Sequence, residues 1–113
     1  MTDKIVLGLS EKVIVYGNGK SKNAVARIDT GATKSSIDVS IASELKLGPI
    51  VKTSRVRSAS GNGVRPVIKA RIRIKNKTFT GMFTLASREH MNYKILIGRN
   101  ILKKGDFLID PKK

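Results

Sequence analysis

Cysteine and tryptophan are absent from the 113 residues, and there is one histidine. Without Cys there is no disulfide, thiol nucleophile or Cys-ligated zinc, so nothing argues for an oxidising compartment and the cytoplasm is the expected setting. A single His excludes a multi-His metal cage. Aromatic residues make up only 4% of the chain, which leaves few stacking platforms for a dedicated single-strand nucleic-acid binder. Long apolar runs are missing too. The stretch Ile5–Leu9, behind Met1-Thr2-Asp3-Lys4, stops at Ser10 and Glu11, which is too short for a signal peptide's apolar region or a membrane span. Acids are scarce: 8 Asp+Glu face 23 Lys+Arg, a net charge of +15, which excludes a protein indifferent to the charge of its partners.

What is present is β-like. Apolar residues make up 40% of the chain, enough for the core of one domain spanning 1–113. Val and Ile are frequent and long helical periods are missing. Strands are predicted at Ile5–Leu9, Lys12–Tyr16, Asn23–Asp29, Ile50–Arg57, Val64–Lys75, Thr78–Ala86, Ile95–Ile97 and Phe107–Asp110. Gly17-Asn18-Gly19, Ser60-Gly61-Asn62-Gly63 and Asn76-Lys77 supply turns between them. One short helix is predicted over Ile41–Leu47, capped by Ser40 and stopped by Gly48-Pro49. A second is predicted from Arg99 to Lys103, ended by Gly105. Phe79, Phe83 and Phe107 read as core residues. Short strands with two small helices imply an all-β, barrel-like domain.

The positive charge is concentrated. No acid occurs between Lys46 and Arg88, a window rich in Lys and Arg. Within it, Ile68, Ala70, Ile72 and Ile74 alternate with Lys69, Arg71, Arg73 and Lys75. A period of two turns the apolar set to the core and the four cations to the outer strand face. A solvated face accounts for one such stripe; the acid-free window adds weight to an anionic partner.

The segment Ala26-Arg27-Ile28-Asp29-Thr30-Gly31-Ala32 carries the clearest chemistry. An apolar strand ends in Asp29, a hydroxyl residue follows, and Gly31 lets backbone pass closely. This suits half of an aspartic-peptidase site, in which two carboxylates share a proton; one activates water and the other donates to the scissile carbonyl. Asp-Thr-Gly alone is also ordinary turn chemistry. It gains meaning from Lys94-Ile95-Leu96-Ile97-Gly98-Arg99-Asn100-Ile101-Leu102, an apolar strand running into Gly-Arg and a helical start.

With that second element the chain resembles the retropepsin-like aspartic peptidases. Arg65-Pro66-Val67-Ile68, Thr84-Leu85-Ala86-Ser87-Arg88, Met91-Asn92-Tyr93 and Phe107-Leu108-Ile109-Asp110-Pro111 follow in order. That succession is similar to the group long labelled ATP-dependent zinc proteases. The group includes the RimB proteins, which trim poly-glutamate tails added by a RimK-type ligase. The resemblance implies a closed retropepsin-like barrel, catalysis by Asp29 supported by Thr30 and Gly31, and a flap whose tip falls at Ser58–Gly63, with Asn62-Gly63 supplying positive φ. Ile97-Gly98-Arg99 would pack beneath the catalytic loop. Viral retropepsins have an Asp two residues after the motif glycine, paired with the Gly-Arg arginine; Thr33 stands there in this chain, leaving Asp38 or Asp110 as candidate partners of Arg99. The metal in the group's label has no counterpart in the residues: His90 is alone and reads as a surface residue, and no Glu stands at metalloprotease spacing. No cofactor is expected.

One Asp-Thr-Gly per chain implies a homodimer in which each copy gives one Asp29. That dimer carries 2 × 15 = +30, so self-repulsion opposes it at low salt. The implied substrate is an acidic peptide or a poly-glutamate-tailed protein, including a ribosomal one. Arg27, Lys34, Arg55, Arg57 and Arg65 are the first candidates to hold its carboxylates, with Ser58, Gly61 and Gly63 of the flap beside them. The competing reading is a non-catalytic basic module that binds RNA or the ribosome on the same barrel, through nonspecific phosphate contact.

Overall fold

The computed structural model describes residues 4–58 and 61–113. Nine strands and two short helices follow one another along them: β1 (Ile5–Leu7), β2 (Ser10–Tyr16), β3 (Ser21–Ile28), β4 (Ser35–Asp38), α1 (Val39–Glu44), β5 (Ile50–Ser58), β6 (Gly61–Ile74), β7 (Lys77–Ala86), β8 (Ile95–Ile97), α2 (Arg99–Leu102) and β9 (Phe107–Ile109). Hydrogen bonding runs β2-β3-β8-β4-β7-β6, and β6 returns to β2, so six strands close into a barrel. The expected all-β closed barrel with two short helices is what the chain forms.

The core is dominated by isoleucine. Ile37, Ile41, Ile68, Ile72, Ile74, Ile95, Ile97 and Ile101 are all fully enclosed, together with Leu7, Val13, Val15 and Phe83. The alternation read in β6 holds: Ile68, Ala70, Ile72 and Ile74 are buried, while Lys69, Arg71, Arg73 and Lys75 are exposed. Phe79 and Phe83 are core residues; Phe107 is half-buried and meets the Phe79 ring edge-on at 5.7 Å.

Three local differences from the sequence reading matter for the site. Ser35–Asp38, outside every predicted strand, is a strand, β4, wedged parallel to β7 and antiparallel to β8. Helix α1 begins two residues before the expected start because Asp38, not Ser40, caps it: Asp38 Oδ2 accepts from the Ser40 N–H at 3.0 Å and from the Ser40 hydroxyl. The third concerns the flap. Asn62 and Gly63 are strand residues opposite Arg57 and Val56, and Ser58 pairs with Gly61, so the expected positive-φ turn at Asn62-Gly63 is ordinary β backbone. Residues 59 and 60, in the expected flap tip, lie outside the described residues.

β5 joins the sheet only through β6, and β6 meets β7 only from Val67 onward. The Gly61–Pro66 portion of β6 therefore pairs with β5 alone, forming a two-stranded arm that leaves the barrel. β1 and β9 make a separate parallel pair, with Ile5 opposite Phe107. Among the described residues no helix is long and apolar enough to cross a membrane.

Candidate active site

Asp29 stands one residue beyond β3. β3 and β8 run parallel, with Arg27 opposite Leu96 and Ile28 opposite Ile97, so both strands deliver their last residues to the same barrel edge. The Asp29 N–H donates to the Ile97 carbonyl at 2.9 Å, extending the ladder by one bond and fixing the Cα from which the carboxylate projects. The side chain is then held by its own loop, because Asp29 Oδ1 accepts from the Gly31 N–H at 3.0 Å. One carboxylate oxygen is thus oriented while the residue stays half-buried and reachable.

The loop from Asp29 to Lys34 crosses over the end of β8 to reach β4, and the segment Gly98–Asn100 grips it from below. The Arg99 N–H donates to Ala32 O at 2.8 Å and the Asn100 N–H to Thr33 O at 3.2 Å. The crossing is too close for a side chain: a Cβ on Gly98 would sit 2.3 Å from Lys34 O and 2.9 Å from Ala32 O. The partner of Arg99 is neither Asp38 nor Asp110. Its Nη1 donates to Thr30 O at 2.9 Å and its Nη2 to Thr33 Oγ1 at 3.0 Å. Thr33 substitutes for a carboxylate because a hydroxyl and a carbonyl together accept both arms of the fork. Asp110 instead accepts from the Lys112 N–H.

Beneath this crossing lies a polar chain with no signature in the sequence. The Gly98 N–H donates to Ser35 Oγ at 2.9 Å, Ser35 Oγ donates to Asn100 Oδ1 at 2.7 Å, and Asn100 Nδ2 donates to Met82 O at 2.9 Å. Ser35 is fully buried, so each of these groups needs the others.

Asp29 opens into a cleft of about 470 Å³ lined also by Arg27, Arg88, His90, Met91, Asn92, Tyr93 and Leu96. The sequence candidates divide around it. Arg27 lines the cleft. Lys34 reaches across to the flap arm and donates to Ser54 Oγ. Arg65 is opposite Ser54 and so shares the arm face that meets the Asp29 loop; Arg55, one residue on, is on the other face and exposed. Gly63 is exposed in the arm, and Arg57, Ser58 and Gly61 take part in its pairing toward the tip. Arg88 was not among the candidates, yet it is 8% exposed and lines the same cleft. Its identity as a cation is visible in the sequence; its burial is a property of the packed barrel.

Asp38 anchors that wall. Its Oδ1 accepts from the Arg88 N–H at 2.6 Å, and Arg88 Nε donates to Tyr93 O at 2.9 Å. Burial pushes the Asp38 carboxyl up. The bonds from the Ser40 hydroxyl, Arg88 N–H and Ser40 N–H, with the Lys94 charge, outweigh that and hold it below the usual carboxylate range.

A metal finds no donor set here. The His90 side chain is 94% exposed beside Glu89 alone at 3.5 Å, and among the described residues no three His, Cys, Asp or Glu converge. A larger depression over β2 and β3 contains Glu11, but that carboxylate is already taken by Lys75, Lys113 and the Gly8 N–H.

No curated protein matches the chain at a significant level. Among solved structures, the Legionella pneumophila protein Lpg0085, a DUF785 protein of unknown function, superposes with a TM-score of 0.66 at 19% identity, over 96% of this chain and 94% of that one. The simian foamy virus (mac) protease superposes with a TM-score of 0.63 at 13% identity, over 83% of this chain and 91% of that one. A foamy viral protease-reverse transcriptase bound to an RNA/DNA hybrid gives 0.66 at 14% identity, over 85% of this chain and 12% of that one. At these identities the likeness is one of fold, the retropepsin-like barrel. A family profile described as retropepsin-like aspartic endopeptidase RimB matches residues 40–113, beginning downstream of the Asp29 motif. That match spans well over half of the sequence, and the chain belongs to the RimB-like family of retropepsin-like aspartic endopeptidases.

Proposed function

We propose that the chain is an aspartic-type peptidase that hydrolyses a peptide bond in an acidic, poly-glutamate-like tail, working as a homodimer with one Asp29 from each copy. The observation that carries this reading is the placement of Asp29: at the end of a core strand, locked by Ile97 O and the Gly31 N–H, and open to a cleft that Arg27 and Arg88 also line. Two facing carboxyls share one proton. The ionised one takes a proton from water as its oxygen attacks the carbonyl carbon, and the protonated one donates to the carbonyl oxygen. Collapse of the resulting diol breaks the C–N bond, and the amine leaves with a proton.

Charge supports the acidic substrate. Arg27 and Arg88 line the cleft, and Arg65 stands on the arm face that meets the Asp29 loop. The β1–β9 sheet supports the dimer, since its paired residues Val6 and Leu108 leave apolar side chains 36% and 52% exposed. The second reading, a non-catalytic RNA- or ribosome-binding module, draws on the exposed cations of β6, where Arg71 lies 4.8 Å over the Tyr16 ring.

Asp29→Asn separates the two. It is expected to abolish cleavage of a synthetic oligo-glutamate peptide, read by mass spectrometry, while leaving peptide binding nearly intact. Retained cleavage removes Asp29 from the mechanism. Absence of Asp29-dependent cleavage with retained RNA affinity favours the binding module.

A further inference from the structure

A buried arginine normally has a carboxylate partner. Arg88 has none among the described residues. Asp38, the acid bonded to its backbone, accepts the Arg88 N–H and spends its second oxygen on Ser40. The bond from Nε to Tyr93 O fixes the guanidinium and leaves its terminal nitrogens for the cleft that the residue lines with Asp29. More positive charge gathers around it. Burial first, then Arg65, and to a smaller extent Arg27 weaken its hold on its proton, against an opposing pull from Asp38. The sheet beneath adds a second unmatched group: Ser36 is opposite the cleft-lining Leu96, on the same face, and its buried hydroxyl meets no hydrogen-bond partner.

We propose that Arg88, flanked by Arg27 and Arg65, forms a carboxylate-selecting subsite beside Asp29. It receives a substrate carboxylate next to the bond to be cut, supplied by a glutamate side chain or by the peptide's own C-terminus. The proposal deepens the peptidase reading and rests on it for cleavage but not for binding. A planar guanidinium held at Nε presents its outer donors to a carboxylate in fixed geometry, which a lysine ammonium cannot reproduce.

The test compares wild type with Arg88→Gln, Arg88→Lys and a charge control, Lys77→Gln, at the far hairpin end of β6–β7. Peptides are a synthetic oligo-glutamate, versions with Gln replacing Glu at successive positions, and a C-terminal amide. In wild type one replacement is expected to lower kcat/KM on the order of 10- to 100-fold, the range of one charged hydrogen bond. In Arg88→Gln that discrimination falls to about unity, chiefly through KM, and Arg88→Lys does not restore it. Sensitivity to Gln assigns a side-chain carboxylate; sensitivity to amidation assigns the terminal one.

Calorimetric binding of oligo-glutamate against oligo-glutamine in the Asp29→Asn background, with and without Arg88→Gln, asks the same question without cleavage. In wild type, the Arg88 Nε–H resonance is expected to shift with oligo-glutamate and not with oligo-glutamine, which needs no substitution at Arg88. The proposal is overturned by an unchanged Glu/Gln preference in Arg88→Gln or by an equal loss in Lys77→Gln. It is also overturned by an effect confined to dimerisation, or by a silent Arg88 resonance. Wild type that binds through Arg88 but cuts nothing counts against the peptidase reading alone.

Discussion

Replacing Asp38 by Ala removes a carboxylate whose two oxygens do different work. Oδ2 caps α1 through Ser40, and Oδ1 holds the Arg88 N–H at 2.6 Å. Loss of an N-cap costs about 1 kcal/mol. Loss of a bond from a buried N–H to a charged acceptor costs about 1.5–3 kcal/mol, because the donor is left with no water to replace it. Together these give about 2.5–4 kcal/mol, or a fall in Tm of roughly 10–15 °C for a domain of this size. Asp38→Asn keeps one acceptor oxygen and should lose about half as much.

The pH dependence identifies the carboxylate. The folded Asp38 pKa lies below 3.8, so its contribution is fully present above 3.8 and is lost as pH falls through the lower folded value. The gap between wild type and Asp38→Asn should therefore be constant near neutrality and narrow in that acid window. Thermal melts by circular dichroism at matched pH measure it. An Asp38→Ala protein within about 0.5 kcal/mol of wild type, the range of an ordinary surface substitution, refutes the reasoning. So does a gap that stays flat into acid.

Two further outcomes follow from the crossing and from the charge. Gly98→Ala forces a methyl group to within 2.3 Å of Lys34 O, a backbone atom, and is expected to cost about 1–3 kcal/mol. It should also lower kcat about 100-fold by moving the Asp29 loop by about 1 Å, measured with folded protein; unchanged kcat would show that the loop is not set by this contact. Dimerisation should tighten between about 0.05 and 0.5 M salt as screening shortens the reach of the +30 repulsion, read by analytical ultracentrifugation. A chain that is monomeric at every salt and protein concentration removes the paired-carboxylate mechanism.

The sequence made the barrel legible wherever burial followed a period of two. β6 is the clearest case: four apolar residues alternate with four cations, and each went to its expected side. β4 was hidden because Ser35-Ser36-Ile37-Asp38 contains one apolar residue, and it is a strand only because β7 and β8 flank it. The same segment explains the misplaced cap. Asp38 and Ser40 are both good capping residues two positions apart, and Asp38 caps because its Oδ2 accepts from the Ser40 N–H and hydroxyl while the Arg88 N–H holds its other oxygen. Asp29 was readable because its motif is local. Arg88 was not, since one more Arg in a cationic window carries no mark of its burial. The Arg99 pairing depended on the loop path, which brings the Thr30 carbonyl and the Thr33 hydroxyl to the guanidinium.

The wedge of β8 between β3 and β4 also sets a timetable for the chain's synthesis. β3 and β4 are made early, but the strand that joins them is Ile95–Ile97, and β1 finds its partner only at Phe107–Ile109. On the ribosome the segment through β4 therefore has no barrel to enter until β8 is made, and Asp29 has no Ile97 carbonyl to hold it. Such distant pairings belong to domains that fold in milliseconds to seconds, late and all together. Asp29 takes up its place only once Ile97 has been made, in the same step that closes the barrel.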